Sequence, residues 1–79
     1  MNRQLKYVII DKIYPVIFFG GILHSAMLKL GGDITSAAFL KFYIDEHGKI
    51  SVAVFGHSES LGISSKPADA EIIKAILKI

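Results

Sequence analysis

The sequence predicts a small α+β domain: an antiparallel sheet of about four strands in two hairpins, a short middle helix and a C-terminal amphipathic helix. Three observations predict it. Two runs rich in β-branched and aromatic residues, LKYVIID (5–11) and YPVIFFG (14–20), stand a two-residue link apart. Two further apolar runs, 35–44 and 50–56, flank the turn-forming DEHGK. The last thirteen residues, PADAEIIKAILKI, repeat their apolar positions with a helical period.

The first two runs read as strands joined across Lys12–Ile13, with Pro15 at a strand start or edge because it has no amide to donate. ILHSAMLKL (22–30) spaces Ile22, Leu23, Ala26, Met27 and Leu30 along one helical face, and Gly31–Gly32 stops it. In the third strand Ala38, Leu40, Phe42 and Ile44 share one face, and Ala37, Phe39, Lys41 and Tyr43 share the other. Gly48 supplies the positive φ of the turn. The fourth strand then returns antiparallel, so that Ile50, Val52 and Val54 meet the Leu40 face. For the last helix, Ser64 or Ser65 is the expected cap, and Pro67 sits near the first helical position. Asp69 and Glu71 favour the positive end of the helix dipole. Ile72, Ile73, Ile76 and Leu77 form its apolar stripe.

Composition narrows the classes of function. The 79 residues read as one domain, 1–79, with no linker or internal repeat. The absence of Cys excludes disulfides, thiol catalysis and Cys-ligated metal sites. The chain is 52% hydrophobic with a mean hydropathy of +0.50, more apolar surface than so small a domain can hide. A membrane is the weaker outlet: IYPVIFFGGIL (13–23) is half the roughly 20 residues a helical span needs, and proline and glycine interrupt it. A homo-oligomer is the expected one, with Phe39, Tyr43 and Phe55 at its interface. The net charge of +2 comes from scattered lysines and a single arginine, Arg3, so a duplex nucleic-acid reader is not expected.

One segment stands out chemically. In VAVFGHSESLGISSKPADAEII (52–73), four serines crowd around Gly56 and Gly62. Gly56-His57-Ser58-Glu59-Ser60 differs from the G-x-S-x-G nucleophile elbow in its last residue, but an elbow passes straight into a helix above a parallel sheet. Here Leu61-Gly62-Ile63 intervenes and the strands pair as hairpins, so no catalytic residue is assigned and the chain is not expected to be an enzyme. His24 and His57 could share a metal, yet no carboxylate spacing completes such a site, and neither metal nor cofactor is expected.

The same segment suits an anion cradle better, because converging amides, small side chains and a following helix N-terminus are what phosphate-binding loops use. Ser58 and Ser60 would donate hydroxyls, Gly62 would let the backbone bend, and Ser65 and Lys66 would stand at the helix mouth. His24 and Ser36 are supporting donors, and Phe55 or Tyr43 is a stacking surface. The bland alternative is a polar connection in which Ser65 caps the helix, and a lone histidine such as His24 is more often a hydrogen-bonded structural group.

The succession HSAM, SAAFLKF and FGHSESLGISSKPADAEII resembles a set of small proteins of bacteriophages and prophages. Those read His-Ser, Ser-Ala-Gly-Phe, Gly-Glu-Ser-x-Ser-Leu-Gly and Ser-Arg-Pro-Glu-Asp-Ala before an apolar helix. The likeness runs in order over residues 5 to 77. This chain departs from it with Ala38 for glycine, Lys66 for arginine and Ala68 for glutamate. The last two remove a bidentate phosphate grip and the partner of a capping box. The resemblance implies a counter-defence protein in the cytoplasm of a bacterial host cell. Two modes follow: sequestering a nucleotide-like small molecule, or inhibiting a host defence protein through an exposed sheet edge or aromatic face.

Overall fold

The computed structural model describes residues 4–79. Strands β1 (Leu5–Ile10), β2 (Tyr14–Phe19), β3 (Ile34–Ile44) and β4 (Ile50–Phe55) form one antiparallel sheet in the order β2-β1-β3-β4. A seven-residue 3-10 helix (His24–Leu30) links β2 to β3. After β4, two-residue strands β5 (His57–Ser58) and β6 (Ile63–Ser64) pair as a miniature hairpin, and helix α1 (Asp69–Leu77) follows. The α+β class, the two hairpins and both helical segments are those the sequence predicts.

The β1–β2 connection turns at Asp11 and Lys12, both at positive φ (53° and 68°), the backbone that matches the right-handed twist of a tight hairpin. Its unusual conformation is braced from β3. Asp11 donates its amide to the Asp33 carbonyl (2.7 Å) and accepts the Asp33 amide on Oδ1 (2.9 Å), while the Lys12 amide reaches Thr35 Oγ1 (3.0 Å). Thr35 is the extra residue of a bulge, since Ile9 pairs with Ser36 but Ile10 with Ile34.

The β3–β4 hairpin brings together the apolar face the alternation predicts: Leu40 faces Val54, Phe42 faces Val52, and Ile44 faces Ile50. The Asp45 carboxylate holds the amides of His47 (2.8 Å) and Lys49 (3.0 Å), which closes the turn around Gly48.

Each face of the sheet has its own cover. On one, Tyr7, Ile9, Ala38, Leu40 and Val52 pack under Ile73, with Ala70 and Ile72 beside it. Helix α1 therefore seals this side with the stripe the sequence marks, although Ile76 and Leu77 stay exposed. On the other face, Val8, Phe18 and Ala37 lie beneath Met27 of the 3-10 helix and Leu61 and Ile63 of the loop. The middle helix takes the tighter 3-10 form, whose side chains eclipse every third residue. His24 and Met27, three apart, are the pair it turns onto the sheet. It begins with no side-chain cap, and no acidic residue lies in its first turn.

The caps expected of Ser64 or Ser65 are replaced by another device. Residue Ala68 stands at the N-cap with no side-chain bond, and Asp69 turns its carboxylate back to accept the Lys66 amide (2.8 Å) and the Tyr7 hydroxyl (2.5 Å). A carboxylate does this better than a serine because an ionised acceptor makes the stronger bond. Burial and then the Asp69 bond push the Tyr7 phenol far above its ordinary range, so it stays a donor.

Candidate functional site

A concavity opens on each face of the sheet. The larger, about 390 Å³, opens on the Ala37 face. Its apolar wall is Phe39 of β3 and Phe55 of β4, cross-strand partners whose rings stack at 5.9 Å and 24°. Lys6, paired with Phe39 from the β1 side, sends Nζ to the Ile22 carbonyl (2.9 Å) and holds it 6.0 Å from the Phe39 ring centroid. The rim is the segment Gly56–Ser60, which contributes His57, Glu59 and Ser60.

Gly56 sets the direction of that rim. Its φ is +78°, and a Cβ there would come within 3.0 Å of the Phe39 ring. Only glycine combines this turn with this approach. The Ser60 hydroxyl accepts the Ser25 amide (3.2 Å), tying the rim to the 3-10 helix.

His24 lies at the floor of the cleft. Its Nε2 stands 2.7 Å from the Ala38 carbonyl, and its ring meets Phe18 and Phe39 edge-on, each at 5.6 Å. Burial lowers the imidazole below its ordinary range, the Ala38 bond opposes that, and the Lys6 charge adds to the lowering. The neutral ring therefore donates Nε2–H to Ala38. His24 fixes the floor on which Phe39 stands.

The residues singled out from sequence separate into three groups. Ser60 and His24 border the larger cleft, with Phe39 and Phe55. Ser58, fully buried, braces the loop: its Oγ accepts the Leu61 amide (3.2 Å), lies 3.4 Å from Ser60 Oγ, and has no imidazole or carboxylate partner. Gly62, at φ 68°, donates its amide to the Ser58 carbonyl (2.8 Å), and Ser65 donates its own to Gly56 (3.1 Å). Ser36 and Lys66 belong to the second concavity, about 230 Å³, between β1, β3 and the start of α1. There Ser36 is buried and the Lys66 ammonium donates to the Thr35 carbonyl. Both line a concavity on the face of the sheet opposite the larger cleft. Tyr43 stays exposed near the far end of the β3–β4 hairpin.

Lys6 was the residue sequence reasoning missed. A single lysine inside the apolar run LKYVII, on the strand face shared with Val8, is the signal that marks it. Among the described residues no group of three His, Asp or Glu could hold a metal ion, and no helix is long and apolar enough to cross a membrane. Comparison with protein-family models, curated proteins and solved structures finds no match to this chain.

Proposed function

We propose that the protein is a non-enzymatic binding module that captures a small planar anion, a nucleotide or similar phosphorylated ring compound, in the larger cleft. The observation that supports this most is the Phe39–Phe55 stack with the Lys6 ammonium beside it. An exposed aromatic face takes a base, and a neighbouring cation with a hydroxyl and imidazole rim takes its phosphate. The cleft volume, about 390 Å³, lies within the roughly 300–1,000 Å³ of small-molecule sites. The serine loop then serves as a scaffold that aims Ser60 and His57, with Ser58 as its internal brace. The phage resemblance supplies the setting: counter-defence by sequestration in the bacterial cytoplasm, in a homo-oligomer.

Calorimetric titration of the protein with mono-, di- and cyclic nucleotides tests this. Phe55→Ala, at a ring 40% exposed, is expected to weaken binding by about five- to a hundredfold with little change in melting. Ser58→Ala is expected to lower stability by about 1 kcal/mol, because it leaves the Leu61 amide without its acceptor. No heat of binding with any nucleotide would sink the proposal.

A second reading, inhibition of a host protein through the aromatic end of the β3–β4 hairpin, draws support from Phe42, Tyr43 and Ile44, all exposed. It expects Tyr43→Ala to abolish function while the cleft tolerates change.

A further inference from the structure

The two edges of the sheet are unlike. Strand β2 carries Pro15 and so cannot offer a full row of amides. Strand β4 is ISVAVF, with no proline, no charge and no bulge against β3, features that leave an edge open to pairing.

The turn geometry shows which groups that edge presents. The Asp45 amide donates to the Lys49 carbonyl (2.8 Å), which makes them the hydrogen-bonded pair nearest the turn. Antiparallel pairs alternate, so Tyr43/Ser51, Lys41/Ala53 and Phe39/Phe55 bond to each other. Ile50, Val52 and Val54 therefore aim their amides and carbonyls away from β3. No other element fills that edge among the described residues: α1 packs on one face, and Gly56 turns the chain back over the other.

We propose that a second copy of this chain occupies the edge, β4 pairing antiparallel with β4 about a twofold axis at Val52. In this register Val52 meets the partner's Val52 and Ile50 meets the partner's Val54. All three outward-facing residues on each strand are satisfied, each pair exchanging both bonds. The side chains match as well. Ile50, 53% exposed in the single chain, gains an apolar neighbour on the α1 face. On the opposite face, small Ser51 meets the partner's small Ala53. A slip to the next matching pair in either direction would leave an outward-facing residue, Ile50 or Val54, without its partner. No like charges oppose each other, which favours a second copy over a foreign strand.

The same register sets Phe55 opposite the partner's Lys49, as neighbours about 4.5–5.5 Å apart at Cβ. Each cleft thereby receives a lysine from the other chain beside its aromatic wall. The edge pairing stands without any ligand; the shared cation rests on the nucleotide reading of the cleft.

Sedimentation equilibrium without nucleotide reads the pairing. The expected particle is twice the 8.7 kDa chain mass. Ile50→Pro, which removes an outward amide and no bond to β3, is expected to give single chains with an unchanged circular dichroism spectrum. The chain has no cysteine, so an oxidised equimolar mixture of Lys49→Cys and Phe55→Cys proteins should form a disulfide-linked pair that neither forms alone. A single-chain parent protein overturns the proposal and leaves the edge to a foreign strand. A two-chain parent whose mixture fails to cross-link overturns the register. Either outcome removes the shared cation but not the nucleotide reading of the cleft, which the calorimetric titration reads separately.

Discussion

The two faces of the sheet are built by different means. Under α1, one regular element lays Ala70, Ile72 and Ile73 onto Tyr7, Ile9, Ala38 and Leu40, and a buried Tyr7–Asp69 bond pins its first turn. The opposite face is roofed by a 3-10 helix and a loop that contains only a two-residue ladder. Beside the packing of Met27, Leu61 and Ile63, it is held by polar ties, Ser60 to Ser25, Ser58 to Leu61 and His24 to Ala38. Apolar closure leaves the α1 face the smaller concavity, about 230 Å³. A roof held by single hydrogen bonds leaves a cleft at its border, with polar groups on the rim.

The contrast can be broken most severely at Ile73, which is fully buried. Ile73→Ala is expected to cost about 2–5 kcal/mol, whereas Met27→Ala on the other face, at a half-buried position, should cost about 1 kcal/mol. Denaturant unfolding of the two variants measures the difference, and equal costs would mean the two covers contribute alike.

Next in size is Gly56→Ala. The left-handed backbone costs a residue with a Cβ about 1–2 kcal/mol, and that Cβ would press on Phe39 at 3.0 Å. Thermal unfolding should show the loss, and chemical shifts of the Phe39 and Phe55 rings should move together.

The smallest effect is a pH dependence confined to the loop-covered face. Burial holds the His24 imidazole below its ordinary value, near 6.5 in an unfolded chain. As pH falls through about 6.5 the unfolded chain takes up a proton that the folded one refuses, so stability declines below that pH and is flat above it. His24→Gln should flatten the decline in melting temperature between pH 7 and pH 5, read by calorimetry. A parent protein that gained stability over that range would contradict the buried neutral ring.

Much of the architecture follows from local patterns. The alternation in 35–44 and 50–56 places Ile50, Val52 and Val54 on the Leu40 face, because a one-residue slip would turn every apolar side chain outward, and the structure pairs Leu40 with Val54 and Ile44 with Ile50. The α1 stripe is equally direct at Ile72 and Ile73. The cap is not: serine is the statistical choice, but Asp69 prevails because Tyr7, sixty-two residues away, supplies a buried donor. The site is the least legible part. Ser58, Ser36 and Lys66 have the chemistry of a cradle, yet Ser58 is enclosed by its own loop, and Ser36 and Lys66 line the concavity on the other face from the larger cleft.

The sequence by itself determined the class of fold, the two hairpins, the apolar face shared by the third and fourth strands, and the apolar side of the last helix, because side-chain period and turn chemistry act over a few residues. Only the tertiary structure decided that Lys6 joins Phe39 and Phe55, that His24 bonds to Ala38 beneath the cleft, and that Ser60 stands at the cleft's rim while Ser58 is buried in its own loop. These depend on strand order and on which face each cover occupies. Both are settled by burial summed over distant segments, and no local spacing encodes that sum.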